Sequence, residues 1–373
     1  MSEYAFLAGT AAFVMLISLV FQVLTLNLTR KNVYLGVRIP EEKREDAELK
    51  AIGKDFIKAN FIIGLPVIII LTFLIYTFKH IGVFMASVFG FLFIIFMIYY
   101  SYNKKVRILK ERNSWLNTKK QIVIVDTSFS KEKSGKYIPS YWWFMIPILI
   151  LIINIIINMN YYPYLPDKVP THWDFNGQIN GYQHKSQLLI YEMPLFGLFI
   201  TVVMFISYKS IGWAKQEISS INPKESKERN RIFRRVWSIY LIWSTIAINL
   251  IFTIANLQVM QVMRLNSTVS MIFILVFSMI MVISSVIISV KVGQGGSKLK
   301  LETGEKQSAI CNRDDDRYWI FANSIYYNPE DPAVFLEKRF GIGWTVNAGT
   351  TAGKAIYAGT ILLLLFSIGI CFL

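Results

Sequence analysis

The chain has 373 residues, of which 54% are hydrophobic, 15% aromatic and only 17% charged. That apolar fraction lies above the range of soluble domains and argues for a membrane protein. A formal net charge of +15 would suit a nucleic-acid binder, but the placement of the charges ties it to membrane orientation and anionic inner-leaflet lipid, so no direct nucleic-acid partner is expected.

Apolar runs long enough to cross about 30 Å of hydrocarbon recur along the chain. They predict spans at 5–26, 61–78, 81–102, 142–159, 187–208, 236–256, 269–290 and 355–373. The expected fold class is an all-α polytopic membrane protein of about eight transmembrane helices, with a small β-rich cytoplasmic module before the last helix. The expected organisation is an N-terminal three-helix membrane region at 1–141, a membrane domain at 142–208 with an extracytoplasmic loop at 160–186, and a two-helix region at 209–291. The module at 292–354 and the terminal helix at 355–373 complete it.

The first span is preceded by MSEY, without a basic residue, and followed by Arg30 and Lys31. This predicts a retained helix with its N-terminus outside. Lys and Arg counts support that topology, because they favour the cytoplasmic side of span ends. The four loops that it makes cytoplasmic, 27–60, 103–141, 209–235 and 291–354, hold 8, 10, 8 and 9 of the 39 Lys and Arg residues; the outer side keeps Lys79, Lys168, Lys185 and Arg264. The expected location is the plasma membrane, multi-pass, with both termini outside and the lipid bilayer as the first partner.

In chain order, EEKREDAELKAIGKDFIKAN predicts an amphipathic helix leading into the second span. QIVIVD, within 103–141, reads as a short strand that could pair with another cytoplasmic strand. Span four carries Asn154 and Asn158 four residues apart, on one helical face, either to join helices or to contact a ligand. PKESKERNRIFRR alternates in charge like a solvated helix. Gly293, Gly295 and Gly296 suggest a flexible exit from span seven, and the segment after them carries strand and turn signals: RYWIFANSIYYN, the turn NPEDP, AVFLEKRFG and GIGWTVN.

Chemistry-bearing patterns are sparse. Cys311 and Cys371 define no disulfide framework, and the chain has no GxSxG or HExxH, so no catalytic residue is nominated and the protein is not expected to be an enzyme. His80, His172 and His184 all fall on the predicted outer side, yet their spacing matches no strong ligand pattern, so neither a metal nor another cofactor is expected. The stretch PDKVPTHWDFNGQINGYQHK has a different logic. Pro166 and Pro170 restrict the backbone, the pairs Asn176-Gly177 and Asn180-Gly181 favour tight turns, and Trp173 and Tyr182 supply amphipathic rings. It is either a well-packed outer connector or a recognition surface.

The same stretch resembles the VPTHW signature of a bacterial membrane domain of unknown function that also occurs in SdpI-type immunity and signal-transduction proteins. The resemblance covers about 142–208 and rests on Pro166, Val169, Pro170, Thr171, His172, Trp173, Gly177, Gly181, Tyr182 and Lys185. DDDRYWIFANSIYYNPEDPAVFLEKRFGIGWTVN is similar to a second uncharacterised domain, with a YYNPxDP turn and a GxGWTxN ending. The first resemblance implies recognition of a secreted peptide or envelope component at Pro170, Thr171, His172, Trp173, Gly177, Gly181, Tyr182 and Lys185. The second implies a cytoplasmic protein partner at Trp319, Tyr326, Tyr327, Asn328, Pro329, Asp331, Pro332, Gly341, Gly343, Trp344 and Asn347. The alternative to a sensing or protective role is a transporter or channel component for a small uncharged or peptide substrate.

Overall fold

The computed structural model describes residues 3–115, 121–122, 138–173, 178–218, 222–263, 267–301, 311–312 and 314–370. The helices of these residues are α1 (Glu3–Leu28), α2 (Ala47–Phe78), α3 (Ile81–Arg112), α4 (Met145–Tyr161), α5 (Glu192–Trp213), α6 (Pro223–Val259), α7 (Ser267–Val292) and α8 (Thr351–Ile370). Among the described residues, seven helical segments are long and apolar enough to cross a membrane, and α8 is a further apolar helix of 20 residues. Their flanks leave bulky side chains such as Ile62, Ile69, Phe73 and Phe93 exposed, an arrangement that water would penalise and hydrocarbon accommodates.

Three helices run beyond the apolar segments that predict them. In α2 the amphipathic 47–60 stretch and the second span are one helix, opened by the Asp46 carboxylate, which accepts from the N–H groups of Glu48 (3.0 Å) and Leu49 (3.2 Å). It closes at Lys79 in the left-handed region (φ 52°), and His80 then caps α3 by accepting from the Gly82 N–H at 3.0 Å. The mixed-charge run at 223–235 is likewise the start of α6, but it is not a solvated helix. Asn230 and Arg234 are fully buried, and Arg234 donates to the Ile211 carbonyl at 2.5 Å.

Contacts divide the chain into two compact units, each gathering separated segments. One comprises mainly 132–212 and 234–288. Here α4 meets α6 through its asparagine face: Asn158 and Asn256 exchange amide hydrogen bonds of 3.0 and 2.8 Å, Asn158 also donates to the Ile190 carbonyl (2.8 Å), and Asn154 donates to the Thr253 hydroxyl (2.8 Å). The two asparagines therefore join helices. Asn158→Leu or Asn256→Leu alone should cost about 1–2 kcal/mol by orphaning the partner amide, whereas the double variant should recover part of the loss. Thermal unfolding in detergent of the four-protein cycle checks this, and strictly additive losses would contradict it.

The other unit comprises 4–131, 213–233 and 289–373. Its apolar core joins Ala11, Met15 and Leu19 of α1 to Ile68 and Ile75 of α2 and Phe91 and Ile95 of α3. One polar bridge crosses it, where the Gln22 amide donates to Asn60 Oδ1 (2.8 Å) and the Ile95 carbonyl (2.7 Å). A second cluster, including Leu35, Val37, Phe56, Tyr99 and Val106, continues the core to the hairpin β1–β2 (Val33–Tyr34 and Val37–Arg38). Around these ends fold β3 (Gln121–Ile122), β6 (Cys311–Asn312), the hairpin β7–β8 (Trp319–Ile320 and Ile325–Tyr326) and the antiparallel pair β9–β10 (Phe335–Glu337 and Trp344–Val346). Of QIVIVD only Gln121–Ile122 lies within the described residues, and it runs parallel to Cys311–Asn312. The glycines after α7 form a buried turn rather than a flexible exit. A Cβ on Gly296 (φ +80°) would strike the Arg229 backbone.

Candidate functional site

Two regions gather the residues nominated from the sequence, one in each unit. The first is a hairpin of β4 (Lys168–Trp173) and β5 (Ile179–His184), with Lys168 opposite His184 and Pro170 opposite Tyr182. Its anchor is Val169, fully buried with Leu165, Leu189, Val259 and Met260, while Trp173 packs against the same cluster half-buried. Lys185 clamps the approach: its ammonium donates to the Pro163 (3.0 Å) and Leu165 (2.9 Å) carbonyls and sits 5.2 Å from the Tyr162 ring centre.

The expected tight turn at Asn180-Gly181 is absent, and both residues belong to β5. Register shifts flank His172, which faces Gly181. A Cβ at Gly181 would come within 2.7 Å of the His172 Cβ, so glycine is needed for close strand approach rather than for a turn. His172 Nδ1 is hydrogen bonded to Asn180 Oδ1. His172, Tyr182 and His184 are exposed, Thr171 and Pro170 partly so. Asn176, Gly177 and Asp174 lie outside the described residues. Among the described residues no group of three His, Cys, Asp or Glu side chains is placed to hold a metal ion.

The second region is the 314–347 module. Its turn NPEDP forms as expected: Asn328 Oδ1 accepts from the Glu330 N–H (3.0 Å) and Asp331 Oδ1 from the Ala333 N–H (3.1 Å). Asn347, completely buried, latches this turn. Its amide donates to the Asn328 and Asp331 carbonyls, both at 2.9 Å, and its oxygen accepts from the N–H groups of Asn328 (3.0 Å) and Gly349 (2.9 Å). The YYNPxDP and GxGWTxN parts of the signature are thus two sides of one structure. Gly343 exchanges backbone hydrogen bonds with the Gln294 amide (2.7 and 2.9 Å), Trp344 packs near Phe233 at 5.1 Å between ring centres, and Gly341 lies in the β9–β10 connection; Tyr327 and Pro329 are exposed.

Between β7 and β8 three successive residues, Phe321, Ala322 and Asn323, hold positive φ (47°, 54° and 64°). Such a run is costly for non-glycine residues and persists only where its surroundings hold it. Here they do. The Ala322 carbonyl accepts from the Tyr99 hydroxyl (2.6 Å), Asn323 donates to the Gly36 carbonyl (2.5 Å), and Arg107 reaches the Trp319 carbonyl (3.1 Å).

A chain of charges not nominated from the sequence fastens the module to β2, to α3 and to Arg30 just after α1. Lys110 binds Asp314 and Asp316, each at 2.6 Å, and Arg339 spans Asp315 and Asp316. Arg38 bridges Asp315 (3.0 Å) and Glu217 (2.5 Å), and Arg30 pairs with Glu337, which also accepts from Asn230 (2.5 Å). Burial pushes the Asp315 carboxyl upward, but Arg38 and Arg339 outweigh it and hold it down at about 2. Burial likewise opposes charging of Arg38, and Glu217 and Asp315 reverse that effect so that its pKa is raised. The run DDD at 314–316 in a strongly basic chain was the available signal.

Beside this network lies a cavity of about 380 Å3, lined by Arg38, Glu217, Asp315 and Arg339 and by the nominated Trp319, Tyr326, Asn328, Asp331 and Pro332. Lys215 reaches it with its ammonium on Asp331 at 2.7 Å, and its segment pairs with β9 through a Lys215 N–H to Phe335 carbonyl bond of 2.8 Å. Burial drives the Tyr326 hydroxyl up to about 12, so the phenol stays neutral.

Apolar helices with lipid-suited flanks and charge networks confined to polar ends define a multi-pass membrane protein. Residues 149–205 match a domain of unknown function, DUF1648, and residues 329–354 match a family of unknown function, DUF5808. The first match covers the hairpin-bearing segment, and the second begins at Pro329, directly after Asn328, and includes Asn347. No curated protein matches the chain, and no solved structure does.

Proposed function

We propose that the chain is a non-enzymatic protein of the bacterial plasma membrane, with both termini outside, that recognises a secreted peptide or envelope component through the 168–184 hairpin. The module at 314–347 faces the cytoplasm and engages a protein partner there. The supporting observation is the hairpin frame: Val169 and Lys185 fix its base, and His172, Tyr182 and His184 stand exposed on paired strands. A preorganised aromatic and hydrogen-bonding surface binds with little ordering cost. The Lys and Arg asymmetry supports the orientation, and the likeness to SdpI-type proteins supports a protective or signalling role.

The test compares cells lacking the protein with complemented cells during exposure to secreted antimicrobial peptides. His172→Ala and Trp173→Ala, at equal membrane levels, should lose most of the protection that the intact protein gives. No protection from the intact protein would sink the reading. The competing transport reading draws on two buried amide oxygens that, among the described residues, have no hydrogen-bond partner, Asn154 Oδ1 and Asn249 Oδ1. It would require Asn154→Leu with Asn158→Leu to block flux.

A further inference from the structure

The tip of the β7–β8 hairpin combines a strained backbone with an exposed apolar pair. Phe321, Ala322 and Asn323 all hold positive φ. Ala322 and Asn323 are buried, whereas Ile320 and Phe321 stand 41% and 61% exposed. A left-handed run without glycine is unfavourable, and a bare Ile-Phe pair in water adds to the cost. Strain of this kind persists where it positions something, and what it presents here is the Phe321 ring.

The anchors of the tip fix its depth. The Ala322 carbonyl accepts from the Tyr99 hydroxyl (2.6 Å) and the Asn103 amide (3.3 Å), one turn apart on α3. Arg107, a turn further, holds the Trp319 carbonyl (3.1 Å) and the Asn323 side chain. Tyr99 and Asn103 straddle the end of the apolar run 81–102, and Lys104, Lys105 and Arg107 follow it. Tyr99 lies about 7 Å short of Lys104 along the helix axis. Phe89, Phe93, Met97 and Tyr100 form an exposed stripe at helical spacing on α3, the pattern of a lipid-facing flank. Tyr100 ends that stripe and is next in sequence to the Tyr99 anchor, so the tip is held at the depth where the lipid-facing surface gives way to basic residues.

We infer that the β7–β8 tip is a lipid contact, with Ile320 and Phe321 seated at the boundary between headgroups and acyl chains of the adjacent leaflet. Apolar and aromatic side chains are stabilised at that level. The module is then held twice, by its charge network to the helices and by this tip to the bilayer. Depth along α3 alone sets the contact, so the inference holds whichever side of the membrane carries the module and survives failure of the peptide-recognition reading.

The experiment attaches a nitroxide at position 321 through Phe321→Cys, with Cys311→Ala and Cys371→Ala, in the full chain reconstituted in phosphatidylcholine vesicles. Collision rates are read for oxygen, which concentrates in lipid, and for a nickel chelate, which stays in water. Tyr100→Cys on the exposed stripe is the lipid reference, and Glu330→Cys on the exposed NPEDP turn is the aqueous one. Oxygen collisions should exceed nickel collisions at 321 as at 100, and the order should reverse at 330. Nickel dominance at 321 would place the tip in water, and protection from both reagents would place it against protein; either result overturns the inference. Cys311 lies in β6, so thermal unfolding is compared with the native chain. If the cysteine-free protein unfolds, Phe321→Trp with both cysteines retained decides instead. Brominated phosphatidylcholine should then quench a larger share of its emission than in the native protein, with no such gain for Glu330→Trp, and an unchanged share in Phe321→Trp would overturn the inference.

Discussion

Replacing Asn347 by aspartate should unfold the module at neutral pH, at a cost of about 3 kcal/mol or more. The substitution keeps side-chain size and removes two donors. In the native protein the amide satisfies the Asn328 and Asp331 carbonyls while its oxygen takes the Asn328 and Gly349 N–H groups. A carboxylate would keep the two accepted bonds and turn a negative oxygen toward two carbonyls, in a site with no exposure. Its pKa would rise until it took up a proton, and the acid could then restore one of the two donated bonds. The defect should therefore shrink as pH falls through the raised value. Thermal unfolding in detergent between pH 5 and 8 reads this, with Asn347→Ala as a companion whose loss should not depend on pH. An Asn347→Asp variant as stable as the native protein at pH 8 would refute the latch.

How much of this could be read from the sequence varied with the range of the interactions. Local signals sufficed for the spans, because each apolar run carries its own hydropathy, and for the NPEDP turn, because Asn328 and Asp331 bond to backbone two residues ahead. Helix lengths were less legible. Continuous helices at 47–78, 81–112 and 223–259 combine an apolar half with a polar half that packs against protein, and hydropathy registers only the first. Asn180-Gly181 carries a turn signature, yet cross-strand contact with His172 claims the glycine for β5. The charge network was least legible. Arg38 meets a carboxylate 277 positions away and Arg30 one 307 away, and counting Lys and Arg for orientation treats such residues as solvated when they are buried.

The Arg339→Met variant should show what that buried network is worth. Arg339 is almost fully enclosed and spans two adjacent carboxylates, so its loss leaves Asp315 and Asp316 short of a counter-charge; removing one partner of a buried ion pair costs about 3–5 kcal/mol. The exposed pair Arg112–Glu48 is the contrast, because Arg112→Met should change stability by less than about 1 kcal/mol. The pH dependence follows from the carboxylates. Asp315 is held at about 2 and Asp316 is also lowered; in both, burial opposes the cations that outweigh it. A folded-state pKa below the unfolded value of 3.8 means that this stabilisation is fully present above about pH 4 and drains away as pH falls toward 2. In Arg339→Met the same carboxylates titrate at higher pH, since burial is less opposed, and protonation relieves their repulsion. The gap between native and variant unfolding temperatures should consequently be widest near pH 7 and narrow toward pH 4. A gap that is constant across that interval would mean that Arg339 stabilises the module by packing over the Trp319 ring, 4.9 Å away, rather than by charge.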